Sequence, residues 1–208
     1  TLMLDMDGTI LDLAFDNYVW KDLVPRRYAA ANGLSFEAAR ERLFEKYAAV
    51  QGDLEWYCLD HWNDRLGIDV VKIQHDVTHR IGYLPGALEF LRAVHRRDVR
   101  VLLVTNSHPD TLDLKDAVTG LADYFDGLHS SHTYGHAKES RSFWEALQDD
   151  VGFDPETTLF VDDSQPVLTS AEEYGVSMLV TVTRPDTSEP PQRGSRFRGV
   201  EGVGDMLP

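Results

Sequence analysis

The stretch Leu4-Asp5-Met6-Asp7-Gly8-Thr9 decides how the chain is read. It follows a short apolar run, so Asp5 and Asp7 stand two residues apart at the end of a strand. Extended geometry points both carboxylates to the same side. Two like charges held that close are costly, and a raised pKa or a bound cation is the usual resolution. Gly8 permits a tight turn and a close backbone approach to a ligand.

Working outward, Leu2 to Leu4, Val99 to Val104, Thr157 to Val161 and Val176 to Val182 are strand-like runs, and Leu128 to His132 is a weaker fifth. Continuous rather than alternating apolar runs indicate strands buried on both faces, as in a parallel sheet. Helical patterns lie between them, over Gly86 to Arg97, Lys138 to Val151 and Pro166 to Tyr174. Strands alternating with helices predict an α/β fold, a doubly wound parallel sheet. The alternation breaks once. From Phe15 to Arg80 helical patterns dominate, over about Asn17 to Ala31, Ser35 to Ala49, Glu55 to Leu66 and Asp69 to Ile81. The expected organisation is a core of residues 1–14 and 82–208 with an α-helical cap, 15–81, inserted after the first strand. The tail from Arg184 to Pro208, rich in Pro, Gly and Arg, is expected to wrap the surface or fray.

A second acid pair, Asp162 and Asp163, closes the run Leu159-Phe160-Val161. In an open α/β sheet ligands gather at the carboxyl ends of strands near the switch in strand order. If the two acid-bearing strands are neighbours, four carboxylates converge, and a hard divalent cation is implied. All-oxygen ligation with room for water suits Mg²⁺. Leu102-Leu103-Val104 runs into Thr105-Asn106-Ser107, which places hydroxyl and amide donors at the same edge, and Lys138 can supply a fixed positive charge.

Composition sets the outer bounds. The 208 residues carry 35 acidic and 20 basic side chains, a net charge of −15 that disfavours nucleic acid and anionic lipid as partners. No stretch of 18 apolar residues spans a bilayer. Cys58 stands alone, so neither an internal disulfide nor a Cys-based zinc site is expected, which fits a reducing, cytoplasmic setting. The eight histidines show no His-Glu-x-x-His spacing, so a zinc hydrolase is not supported. Thr1-Leu-Met-Leu4 reads as a strand already under way, and a few upstream residues are expected.

Together, Asp5-Met6-Asp7-Gly8-Thr9, Thr105-Asn106, Lys138 and Asp162-Asp163 resemble the four motifs of the haloacid dehalogenase superfamily of phosphohydrolases, from residue 1 to about 183. The insertion resembles the helical cap of its first cap class. A narrower resemblance, to bacterial GMP/IMP 5'-nucleotidases, is carried by Leu11-Asp-Leu-Ala-Phe-Asp-Asn-Tyr-Val-Trp20, Glu55-Trp-Tyr-Cys-Leu-Asp60, Thr105-Asn-Ser-His-Pro109 and Ser131-His-Thr-Tyr-Gly135.

The resemblance implies a phosphatase with Asp5 as nucleophile, forming an aspartyl-phosphate, and Asp7 as general acid and base. It implies Mg²⁺ held by Asp5, the Asp7 backbone carbonyl and Asp163, with Asp162 behind or as a further ligand. Thr105 and Lys138 would bind phosphoryl oxygens, assisted by Asn106 and the Asp7 and Gly8 amides, and Asn17 would face the phosphate from the cap. The substrate would be a small phosphate ester, a purine nucleotide first, with a sugar-phosphate phosphatase or phosphomutase as the alternative, in a monomer or homodimer. The acid at Asp7 sets the chain apart from the family's dehalogenases. A receiver domain fits poorly, because here an acid pair follows the lysine, and the filled motif positions argue against a silent binder. Cap aromatics Tyr18, Trp20, Tyr28, Trp56, Tyr57 and Trp62 either stack on a base or pack the cap core. His108 after the second motif either touches ligand or, as loop histidines more often do, is solvated; Cys58 is expected to pack, and Phe143, Trp144 and Leu147 to form a helix face against the sheet.

Overall fold

A computed structural model describes residues 1–207. Its strands are β1 (Leu2–Leu4), β2 (Val101–Thr105), β3 (Gly127–Ser130), β4 (Leu159–Asp162), β5 (Met178–Val182) and β6 (Arg198–Val200). All pair in parallel, in the order β3-β2-β1-β4-β5-β6. β1 lies between β2 and β4, with Leu4 opposite both Leu103 and Val161. The strand order therefore reverses at β1, the place where a doubly wound sheet opens a crevice at its carboxyl edge.

Burial explains the unbroken apolar runs. Leu2 and Leu4 pack into one apolar cluster, whereas Met3, between them, packs into the other with Leu102, Val104 and Phe160. The second cluster is covered by α10 (Arg141–Val151) and α11 (Gln165–Tyr174), and Phe143, Trp144 and Leu147 are fully buried there, as expected. The first cluster runs from the sheet into the inserted helices, taking in Phe15, Val19, Leu43, Trp62 and Ile73.

Those helices are α1 (Ala14–Tyr18), α2 (Val24–Asn32), α3 (Phe36–Ala48), α4 (Leu54–Tyr57), α5 (Leu59–Leu66) and α6 (Val70–His75). The single helix expected over Asn17 to Ala31 is instead α1 and α2 joined by a π-helical turn, Val19–Leu23. Pro25 has no N–H to give the preceding turn, and a wider turn relieves its ring. Ser35 caps α3, accepting the Ala38 N–H at 3.2 Å. The expected helix over Glu55 to Leu66 breaks at Cys58, whose backbone is extended (φ −86°, ψ 113°). The expected Asp69 to Ile81 helix shortens to α6 and a 3₁₀ turn, Thr78–Arg80.

In the core, α7 (Ala87–His95) precedes β2, and α8 (Pro109–Thr119) follows it. α8 has no counterpart in the sequence reading. α9 (Ser131–Tyr134) ends the run expected to be strand as far as His132. Lys138 precedes α10 rather than opening it, because Ser140 is the cap that starts the helix. The tail departs from expectation most: Arg198–Val200 pairs with β5 as a sixth strand, Val180 opposite Arg198. Pro208 lies outside the described residues.

Candidate active site

β1 delivers Asp5, β2 delivers Thr105 and Asn106, and β4 delivers Asp162 and Asp163, all at the carboxyl edge of adjacent strands. Lys138 sits among them, almost fully buried. Its Nζ donates to Asp5 Oδ1 at 2.5 Å, to Asp162 Oδ2 at 2.8 Å and to the Val104 carbonyl at 3.0 Å. The other Asp162 oxygen accepts the Ser164 N–H. Asp162 is thus spent on anchoring the lysine, and Asp163 is the acid of the pair left to face a ligand.

Carboxylate oxygens of Asp5, Asp162 and Asp163 come within 4.8 Å of one another. Three negative groups meet one ammonium there. Burial pushes the Asp5 carboxyl up to about 8, with the Asp162 and Asp7 charges adding to it and Lys138 only partly offsetting it. Burial and the Asp162 and Asp5 charges push Asp163 well above the usual carboxylate range. A hard divalent cation would cancel the surplus charge and restore Asp5 as an anion, so the donor set fits Mg²⁺.

Gly8 holds φ +87°, and a Cβ there would come within 2.8 Å of the Asp163 carboxyl carbon, so only glycine lets Asp163 approach. The Gly8 N–H donates to the Leu11 carbonyl at 2.8 Å and so serves the turn, not a phosphate as the sequence reading expected. Asn106 Oδ1 accepts the Lys138 N–H at 2.9 Å, fixing the turn that aims the lysine. Thr105 Oγ1 accepts the Ser107 N–H at 3.0 Å, which leaves its own O–H to donate elsewhere. Asn17, expected to face phosphate, lines the cavity, and its Nδ2 donates to Asp186 Oδ2 at 2.6 Å, a tail contact that orients it there.

Asp7 is held by Ser107, one of the hydroxyl donors expected at this edge, and by Lys115, which no sequence motif marked. Ser107 Oγ donates to its Oδ2 and Lys115 Nζ to its Oδ1, each at 2.6 Å, and Lys115 also donates to both oxygens of Asp16. Lys115 is buried on α8, one helical turn after Thr111, whose hydroxyl donates to Gln74 of α6. Pro109 at the start of α8 and Gly120 at its end were the available sequence signal. A further chain ties the inserted helices to the core. Tyr57 OH donates to Glu139 Oε1 at 2.6 Å, and Asn106 Nδ2 donates to Glu139 Oε2 at 3.0 Å. Burial, reinforced by the Glu139 charge, pushes the Tyr57 pKa up and keeps it a donor.

Above the carboxylates lies a cavity of about 510 Å³ whose far wall is aromatic, with Trp20, Phe44, Trp56, Tyr57 and Trp62. Tyr47 and Trp62 meet edge to face at 4.9 Å and are buried, so they build the wall. Phe44 is 39% exposed. Tyr28 packs against the apolar cluster and does not line the cavity.

The family model for haloacid dehalogenase-like hydrolases matches residues 1–175. The chain belongs to this family. It is 38% identical over 208 residues to the GMP/IMP nucleotidase YrfG of Escherichia coli, covering all of this chain and 94% of that one. It is 26% identical over 145 residues to the pyrimidine 5'-nucleotidase YjjG of the same organism, covering 66% and 64% of the two chains. A haloacid dehalogenase-family phosphatase from Thermococcus onnurineus superposes with a TM-score of 0.82 at 20% identity, over 99% of this chain and 95% of that one. The expected fold and the expected enzyme class within this hydrolase family are both met. No helix among the described residues is long and apolar enough to cross a membrane.

Proposed function

We propose that this haloacid dehalogenase-like hydrolase is a cytoplasmic, Mg²⁺-dependent 5'-nucleotidase that removes phosphate from purine nucleoside monophosphates through an aspartyl-phosphate on Asp5. The observation that carries the reading is Asp5, Asp163 and Lys138 at the floor of a cavity walled by aromatic rings. Full-length similarity to a GMP/IMP nucleotidase supports the choice of substrate.

In this account Asp5, Asp163 and the Asp7 backbone carbonyl hold the metal. When bound, Mg²⁺ would offset the negative charge of the nucleophile and of the phosphate. Lys138 grips Asp5 Oδ1 and leaves Oδ2 to attack phosphorus. Lys138 and the Thr105 hydroxyl balance charge on the phosphoryl oxygens. As the bond from phosphorus to the ester oxygen breaks, Asp7 gives that oxygen its proton. Water then attacks phosphorus, Asp7 takes a proton from it, and the bond to Asp5 breaks, releasing phosphate and restoring the carboxylate. Lys115 and Ser107 orient Asp7 for both transfers. Asn106 and Glu139 aim Lys138, and Tyr57 holds the helical cap down on them. The base would stack against the exposed side of the aromatic wall.

Phosphate release from GMP, IMP, pyrimidine nucleotides, sugar phosphates and an aryl phosphate, with Mg²⁺ and with EDTA, tests this. Metal-dependent release led by GMP or IMP supports the whole reading. Release led by another ester discards the purine claim, and equal release in EDTA discards the metal.

A further inference from the structure

Cys58 ends α4 and opens α5 on the cap side, while His108 caps α8 and His132 lies in α9 on the core side. The Cys58 sulfur and one ring nitrogen from each histidine all lie within 4.8 Å of one another. The two imidazoles meet edge to face with centroids 4.9 Å apart. His132 Nε2 is buried and has no hydrogen-bond partner, an arrangement that normally demands a ligand or water. Burial and the neighbouring His108 hold His132 below the ordinary imidazole pKa, so it presents a lone pair. Asp60 Oδ2 lies 3.9 Å from His108 Nε2 on a side chain 81% exposed and free to swing in. The hydrolytic reading uses neither Cys58 nor His132.

We propose that Cys58, His108 and His132, with Asp60 as fourth ligand, form a second metal site for a borderline-soft divalent ion of the Zn²⁺ class, which ties the cap to the core. One thiolate, two imidazoles and a carboxylate are poor donors for Mg²⁺ and good ones for tetrahedral Zn²⁺. Bonds of about 2.0–2.3 Å set donor atoms roughly 3.5 Å apart, so these half-buried side chains close by about 1 Å around the ion. Binding exchanges the Cys58 S–H bond for an S–metal bond and releases that proton to solvent. Cys58 gives up only a 3.5 Å contact from the His61 N–H. His108 now accepts the Asp110 N–H at Nδ1, and the Asp110 carboxylate lies 3.7 Å from the same nitrogen. With Nε2 on the metal, Nδ1 carries the proton and turns to that carboxylate, the usual support for a ligating histidine. The lone cysteine hid this site in the sequence, because its partners are distant and only folding brings them together.

The test is titration of the whole protein with Co²⁺ in excess Mg²⁺, read as the near-ultraviolet thiolate-to-cobalt charge-transfer band. The expected result is a band that saturates at one equivalent, survives Mg²⁺, disappears in Cys58→Ala and is reduced in His132→Gln. Co²⁺ at the Asp5–Asp163 carboxylates gives no such band, so the result is independent of the hydrolytic reading. Absence of the band in the wild type, or its removal by Mg²⁺, overturns the proposal. Circular dichroism of both variants checks the fold, and the wild-type titration decides even if a variant fails to fold.

Discussion

Lys115 Nζ lies 2.6 Å from Asp7 Oδ1, the ammonium buried and the carboxylate partly open to the cavity. The same ammonium takes both oxygens of Asp16, at the start of the inserted helices, and Ser107 takes the remaining oxygen of Asp7. The proposed acid and base is therefore fixed by α8 and by α1, the first of the inserted helices, together. A carboxylate clamped at both oxygens has one orientation to offer a leaving group.

Removing the lysine separates position from chemistry. Lys115→Met is expected to lower kcat about 10²-fold, the scale of a 1 Å misplacement, with KM changed much less. It leaves Asp7 and Asp16 facing each other and should cost about 3 kcal/mol of stability, the scale for breaking a buried pair. Steady-state kinetics beside a thermal melt check this. A stable variant with normal kcat would show that Lys115 only packs.

The Tyr57–Glu139 bond predicts a different signature. Tyr57→Phe removes one hydrogen bond to a charged acceptor, worth about 1.5–3 kcal/mol, so kcat/KM should fall about tenfold or more. The loss should be alike for nucleotide and small aryl phosphate, because the bond closes the cap and does not read the substrate. A loss confined to nucleotides would instead place Tyr57 against the base.

Phe44 should show the opposite pattern. It is the exposed ring of the cavity wall, and stacking a base is worth about 1–3 kcal/mol. Phe44→Ala is expected to raise the GMP KM about tenfold and leave the aryl phosphate KM nearly unchanged. Equal changes would make the ring structural.

Much of this arrangement was legible in the sequence, for a physical reason. Strand ends and their acids are local features, and Asp5, Thr105 and Asp162-Asp163 each announce themselves beside an apolar run. Parallel pairing at a switch in strand order then leaves one edge where they can meet. Lys115, Asp16 and Glu139 were not legible, because each looks like a solvated helix or turn residue until tertiary packing buries or pairs it. Cys58 broke a helical pattern through its extended backbone, and β6 formed in a stretch whose composition argued against a strand. In both places neighbours overrode local preference.

The acid cluster makes stability depend on pH and metal. Asp5 is raised to about 8, Asp16 to about 7, mainly by burial and then by the Asp7 charge, and Asp162 and Asp163 are raised too. The unfolded chain loses these protons near 3.8 while the folded chain keeps them, so between about pH 4 and 8 the folded state binds more protons. Metal-free stability should therefore fall as pH rises through that window, and the Tm gain from Mg²⁺ should be larger at pH 8 than at pH 5. Melts in EDTA and in Mg²⁺ at both values check the sign, and a larger gain at pH 5 would contradict it.

The central claim is that Asp5 carries the phosphoryl group. In Asp7→Asn, an aryl phosphate has a leaving group good enough to depart without an acid, whereas hydrolysis of the intermediate still lacks its base. Acid quenching during turnover, followed by peptide mass mapping, should find the phosphoryl group on Asp5 in that variant and no turnover at all in Asp5→Asn. Phosphate found on another residue, or an Asp5→Asn variant within about tenfold of wild-type kcat, a cost of only about 1.4 kcal/mol, would contradict it.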